Sequence, residues 1–207
     1  MKQESHYLTL KDGRKLLFYR PLPPKNPVNL KEHIPEGFTH LEVEIGAGTG
    51  RFLAQRALKY PERFFIGIDK KKDRIDSTLE KLERNEKKNW ELLRCDARLF
   101  MEQELPPIDV LHVYHPDPWP KLRHHKHRFF RSPDAKHWAA AIRKGGELRL
   151  STDQADYFEE IMAIVNSWGF FEEQITFVKR TGLAQSRFEE IFLSQGLPVF
   201  KAQFKKL

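Results

Sequence analysis

From about residue 40 the chain alternates between two kinds of segment. Residues 41–45, 64–68, 90–95, 108–114 and 147–152 are short apolar runs of strand character. Residues 51–60, 71–88, 133–143 and 157–168 read as helices, with pairs such as Ile75 and Leu79, or Trp138 and Ile142, spaced to share one face. Strands joined by helical crossovers must run parallel in one sheet, and such a sheet is covered on both faces. The expected fold class is therefore α/β, doubly wound, with a mostly parallel sheet and helices on both faces. Residues 97–104 suggest a further short helix, residues 170–178 a sixth strand, 186–194 another helix and 197–204 a last strand. Gly145-Gly146 is expected to close the helix over 133–143.

Residues 1–39 read as an N-terminal extension to a domain over 40–207. Tyr7-Leu8-Thr9-Leu10 and Lys15-Leu16-Leu17-Phe18-Tyr19 flank Asp12-Gly13, a hairpin signal. Pro21, Pro23, Pro24, Pro27 and Pro35 make residues 20–37 an extended connector. A formal net charge of +7 favours a polyanionic partner. No apolar run reaches the ~20 residues that span a bilayer, and no apolar signal core follows Met1, so a cytoplasmic protein without membrane contact is expected. The single cysteine, Cys95, lies in a strand-like run and reads as a small core residue.

In open α/β sheets ligands bind beyond the carboxyl ends of the strands. Here those ends carry Gly46, Asp69, Asp96, Asp117 and Asp153. Glu44-Ile45-Gly46-Ala47-Gly48-Thr49-Gly50 is a glycine-rich turn spaced G-x-G-x-G, unlike the dinucleotide fingerprint. Glu44 beneath it would repel a pyrophosphate and attract a cationic amino acid moiety. Asp69, at the second strand end, is placed to accept from two ribose hydroxyls. Asp96 and Ala97 after the third strand could meet an adenine amino group.

The fourth strand runs into His115-Pro116-Asp117-Pro118-Trp119-Pro120-Lys121, whose prolines forbid a helix or a continued ladder. A cationic run follows: Lys121, Arg123, Lys126, Arg128 and Arg131, interleaved with His124, His125 and His127. A rigid acid beside such a run suits chemistry on a polyanion, and Arg123, Lys126 and Arg128 are expected at its phosphates. The histidines are not read as a metal site, because the surrounding cations would repel a dication. His112, inside the strand, reads as a satisfied core histidine, and Trp119 as a loop anchor in the core.

Acid, glycine turn, acid and acid at successive strand ends resemble the nucleoside pocket of the Rossmann-like class I S-adenosylmethionine-dependent methyltransferases. The stretch His115 to Lys121 with Arg123-His124-His125-Lys126 resembles the signature of the tRNA (guanine-N7)-methyltransferases. Ser151-Thr152-Asp153 with Tyr157, and Ser186-Arg187-Phe188-Glu189 with Gly196, match further family segments, so the likeness covers about residues 40–204. The resemblance implies methylation of guanosine 46 in the variable loop of tRNA, with S-adenosyl-L-methionine as donor. It implies cofactor contacts from Glu44, Gly46, Gly48, Asp69, Asp96, Ala97 and Asp117, with Asp117 the active-site carboxylate. Lys121, Asp153, Ser186, Arg187, Phe188 and Glu189 would contact the substrate. The chain departs from the family in Ala47 and Thr49, where bulkier residues are common, and in Ser186, where threonine is usual. A monomer or homodimer is expected. The rival readings are a methyltransferase for another RNA and a tRNA-binding subunit without catalysis.

Overall fold

The apolar runs become strands at nearly the expected places, because a strand buried on both faces has few other ways to satisfy its backbone. This computed structural model describes residues 6–9, 15–18, 30–100, 104–180 and 186–207. The chain divides into two compact units, Met1–Pro106 and Pro107–Leu207.

In the first unit, β1 (His6–Thr9) and β2 (Lys15–Phe18) form an antiparallel hairpin with Leu8 opposite Leu16. Its expected turn at Asp12-Gly13 lies outside the described residues, as do residues 19–29 of the connector. Leu30–His33 makes a 3-10 turn where extended chain was expected, and Leu30 is wholly buried. There follow β3 (Leu41–Ile45), α1 (Arg51–Lys59), β4 (Phe64–Ile68), α2 (Lys72–Leu82) and β5 (Trp90–Leu93). The three strands are parallel in the order β5-β4-β3 and buried along their length. Leu53 and Ala57 of α1 and Ile75 and Leu82 of α2 pack with Phe65, Trp90 and Leu92. Gly67 permits this packing: a Cβ there would stand 2.6 Å from the Leu53 Cδ2 and 3.0 Å from the Leu92 Cδ2.

The α2 helix stops at Leu82 instead of residue 88. Asn85 accepts from the Lys87 N–H at 3.0 Å and donates to Asn89 Oδ1 at 2.9 Å. The Asn89 amide donates to the carbonyls of Ala57, Tyr60 and Arg63. These side-chain bonds to backbone outcompete another turn of helix. The short helix expected over 97–104 is a 3-10 turn, Ala97–Leu99, and residues 101–103 lie outside the described residues.

The second unit contains β6 (Ile108–Tyr114), α3 (Pro133–Ala140), β7 (Ile142–Thr152), α4 (Ala155–Ser167), β8 (Phe171–Lys179), α5 (Arg187–Ser194) and β9 (Val199–Lys206). Its strands lie in the order β6-β7-β9-β8, with β6 and β7 parallel and β9 antiparallel to both of its neighbours. Here Ile142 opens a strand instead of continuing a helix. The register jumps from Ile108 opposite Ile142 to Val110 opposite Glu147. Gly145, at φ +77, and Gly146, where a Cβ would meet the Asp109 carbonyl at 2.8 Å, accommodate that bulge instead of ending a helix. Proline at the first position of α3 starts that helix with φ preset. The buried stripe Tyr157, Ile161 and Val165 of α4 stabilises the unit by about 1.5–3 kcal/mol per side chain. Among the described residues no helix is long and apolar enough to cross a membrane.

Candidate active site

In the first unit the turn after β3 is built on glycine. Gly46, Gly48 and Gly50 have φ of +79, +58 and +72, a region that costs a side chain about 1 kcal/mol or more. The N–H groups of Gly46 and Ala47 both donate to the Ile68 carbonyl, at 2.8 and 3.0 Å. Gly48 N–H donates to Asp69 Oδ2 at 3.0 Å, and Thr78 Oγ1 donates to the Gly48 carbonyl at 3.0 Å. A Cβ on Gly50 would collide with Thr78, whereas one on Gly46 would meet open space. The turn is thus pinned from below and open above Gly46.

Asp69 is buried; its Oδ2 accepts from Gly48 N–H and, at 3.5 Å, from the Arg74 guanidinium, and its Oδ1 accepts from Lys71 N–H at 2.9 Å. A carboxylate has about four lone-pair sites, so it retains capacity for a ligand hydroxyl. Asp96 is committed differently. Its oxygens accept from the Arg98 backbone and guanidinium, and it caps the 3-10 turn that begins at the buried Ala97. Burial works to raise its carboxyl, but these bonds hold it below the usual range. Burial pushes the thiol of Cys95 up, with a further push from Asp96, which leaves it an inert core group.

Glu44 is 3% exposed, and its Oε2 has no hydrogen-bond partner. Burial, then repulsion from Asp69, raise its carboxyl well above the usual range, against a smaller opposing pull from Arg56. The folded protein therefore holds this proton more tightly than the unfolded chain. The associated stability is complete below the ordinary glutamate range and is lost as pH rises through the raised value. Glu44→Gln removes that loss. It is expected to raise the melting temperature of the ligand-free protein at neutral pH by a few degrees, with the gap closing in acid. A thermal shift series across pH, with and without a cationic ligand, checks this, and the variant should bind such a ligand about tenfold more weakly or worse.

In the second unit, His115 and Trp119 take φ of +48 and +45, so the loop after β6 turns twice through the left-handed region. Such backbone concentrates at functional sites and costs about 1–3 kcal/mol per residue. The His115 N–H donates to the Ser151 carbonyl at 2.7 Å, which ties the loop to the end of β7. Asp117 is exposed, as are Lys121, Arg123 and Lys126. Lys121 opens a 3-10 turn, Leu122–His127. Trp119 is not in the core. It is half-buried and packs against the rings of His124 and His127, at 5.9 and 5.2 Å between centroids. His112 is buried with Nδ1 3.0 Å from the Tyr114 hydroxyl, the satisfied core histidine that was expected.

Asp153, at the end of β7, is half-buried beside the Gln154 amide, with His115 Nδ1 3.7 Å from Oδ1. Burial works to raise its carboxyl, but His115 and Gln154 together hold it below the usual range, so it is an ionised acceptor at neutral pH. The segment expected at the substrate is divided. Ser186 caps α5 by accepting from the Glu189 N–H at 3.1 Å, and Arg187 and Phe188 are exposed. Glu189 is 1% exposed and lies between Lys179 and Lys201, at 2.6 and 3.0 Å. It is thus a buried counter-ion rather than a surface group.

Arg128, expected at an RNA phosphate, is the clearest correction. Its guanidinium is buried and donates to the Pro118 carbonyl, Asp156 and Glu160. Spacing placed it among solvated cations, and only the acids of α4, one turn apart at Asp156 and Glu160, could have signalled otherwise. His115 was missed as a site residue too. Its side chain is 4% exposed, neither ring nitrogen has a hydrogen-bond partner, and Phe188 and Phe192 flank it at 6.2 and 5.2 Å.

The family model described as "Putative methyltransferase" matches residues 39–202. The tRNA (guanine-N(7)-)-methyltransferase of Nitrosococcus oceani is 32% identical over 166 residues, 79% of this chain and 70% of that protein. The enzyme of the same name from Zymomonas mobilis is 40% identical over 134 residues, 64% of this chain and 58% of its own. Among solved structures, the antibiotic-resistance methyltransferase Kmr superposes with a TM-score of 0.60 at 17% identity, over 86% of this chain and 91% of that one. That likeness concerns the fold, which is the Rossmann-like α/β class I methyltransferase type that the sequence led us to expect.

Proposed function

We infer the function of this chain from its family: it belongs to the tRNA (guanine-N7)-methyltransferases. It is an enzyme that uses S-adenosyl-L-methionine to methylate guanine N7 in tRNA, and we propose that the position is guanine 46 of the variable loop. When bound, the cofactor supplies a sulfonium methyl group, electrophilic enough to be attacked directly by a neutral nitrogen. The first unit fits such a ligand. The unpartnered Oε2 of buried Glu44 suits an ammonium, the remaining acceptor capacity of Asp69 suits a ribose hydroxyl, and the space above Gly46 admits a close approach.

Guanine N7 carries an in-plane lone pair, so no residue need deprotonate the nucleophile. Catalysis then rests on orientation and charge. Asp117 orients the guanine and offsets the positive charge that develops on the purine as the N7–methyl bond forms. Asp153 is an ionised acceptor and takes hydrogen bonds from N1–H and the N2 amine. Lys121, with Arg123 and Lys126, holds phosphates. Ser186, Arg187 and Phe188 shape the approach of the nucleotide, and Glu189 supports them from beneath.

The observation that carries this reading is an exposed carboxylate, Asp117, followed within ten residues by the exposed cations Lys121, Arg123 and Lys126 on a loop stiffened by three prolines. The test is to incubate the protein with unmodified tRNA transcripts and labelled S-adenosyl-L-methionine, digest, and identify the labelled nucleoside. We expect 7-methylguanosine from a transcript with guanine at 46 and none when that base alone is changed to adenine. Label in the second transcript would overturn the position, and tight tRNA binding with no transfer would favour a binding subunit.

A further inference from the structure

Arg128 stands among exposed cations, yet its guanidinium side chain is 2% exposed. Nε donates to the Pro118 carbonyl at 2.8 Å, Nη2 to Asp156 Oδ2 at 2.7 Å, and Nη1 to Glu160. The guanidinium carbon lies 4.5 Å from the centroid of the Tyr157 ring. Two residues on, the Phe130 N–H reaches the Tyr157 hydroxyl at 3.5 Å. Burying a guanidinium is costly unless every donor direction is met, and here three acceptors and an aromatic face meet it.

The identity of those acceptors is informative. Pro118 follows Asp117 directly and precedes Lys121 by three residues. Asp156 and Glu160 lie one turn apart on α4, whose first residue, Ala155, comes two after Asp153. One planar group therefore ties the carbonyl inside the stiff loop to the helix that starts beside the other acid. The loop needs such a tie: its backbone is left-handed at His115 and Trp119, and residues 116–120 belong to neither helix nor strand. A lysine, a point charge without the planar fork, could not span all three of these partners at once.

We propose that Arg128 is a positioning residue for methyl transfer. It fixes the spacing between Asp117 and Asp153 and makes no contact with RNA. The proposal rests on the roles given above to those two acids. It also reassigns part of the cationic run: Lys121, Arg123 and Lys126 face solvent, while Arg128 is directed inward to the protein's own carboxylates.

The test compares Arg128→Lys, Asp156→Ala and Lys126→Ala with the unaltered protein. For Arg128→Lys we expect kcat to fall by about 10–100-fold, the loss typical of a misplaced reacting group. KM for tRNA and for S-adenosyl-L-methionine should stay within about threefold. The slope of log Kd for tRNA against log salt should not change, whereas Lys126→Ala should lower it by about one, as the loss of one phosphate contact does. Asp156 is 61% exposed, so Asp156→Ala removes one arm with little risk to folding, and it should lower kcat several-fold by the same route. Amide exchange over residues 119–127 should quicken in both Arg128→Lys and Asp156→Ala, a readout that does not depend on activity. Failure of the unaltered protein to methylate tRNA would sink the function and leave the exchange result to judge the tie. A reduced salt slope with kcat retained in Arg128→Lys would make Arg128 a phosphate contact. Unchanged kcat and unchanged exchange in both variants would overturn the proposal outright.

Discussion

Asp117→Ala is expected to lower kcat for tRNA methylation by about 10³-fold while tRNA affinity stays within about threefold. The size follows from the chemistry. With no proton to abstract from guanine N7, most of the acceleration must come from holding the purine in line and from a fixed charge facing it, and removing one such charge typically costs 10²–10³-fold. Affinity is expected to survive because the cations proposed to hold phosphates, Lys121, Arg123 and Lys126, are exposed at or on the following turn. Single-turnover kinetics with saturating tRNA, beside filter binding at matched salt, separates the two quantities. Asp117→Asn refines the result. If it recovers most of the activity, hydrogen bonding dominates; if it is as poor as alanine, the charge does. Near-normal turnover in Asp117→Ala would show that the acid at this corner is a turn residue and no more.

The second large effect is expected at Asp69. Asp69→Ala should weaken S-adenosyl-L-methionine binding by about 100-fold or more and lower the melting temperature by several degrees. Two losses combine. The N–H groups of Gly48 and Lys71 lose a charged acceptor, at about 1.5–3 kcal/mol for a bond of that kind, and the glycine turn is released from its tie. The remaining acceptor capacity, which we assign to a ribose hydroxyl, goes as well. About 3 kcal/mol lost from binding is already more than a hundredfold. Calorimetric titration of the variant, with thermal melts of the ligand-free protein, checks both arms. A melt lowered without a matching loss of affinity would mean that Asp69 serves the turn alone and that the hydroxyl is read elsewhere.

The strands and the long helices were legible because burial on both faces leaves an unmistakable pattern: residues 41–45, 64–68 and 108–114 were placed to the residue. What failed to show were features decided by contacts distant in the chain. Gly145-Gly146 after an amphipathic stretch reads locally as a helix stop, and only the pairing of Ile108 with Ile142 reveals a bulged strand. Asn85 looks like an ordinary helix residue until Asn89, held by three backbone carbonyls, turns the chain beside it. The site divides along the same line. Glu44, Asp69 and the glycine turn declare themselves by order along the chain. Arg128 reads as an RNA contact because charge in a sequence looks solvated by default, and Glu189 because its segment resembles the family's substrate segment; the partners that bury them lie 28–32 and 10–12 residues away. His115 was overshadowed by the prolines around it.

The strand order of the second unit bears on how the protein matures. β9 is synthesised after β6, β7 and β8, yet it lies between β7 and β8, and Glu147 waits for Lys205 as its partner. Until then β7 has an open edge and β8 has no ladder to join, an arrangement of long sequence separation that folds slowly and exposes pairing surface meanwhile. Asp153 directly follows β7, whose second edge is covered only once β9 has been made. A nascent chain could therefore acquire its glycine turn well before it acquires the acid proposed to read guanine. Competence to modify RNA would then arrive in a single late step of folding.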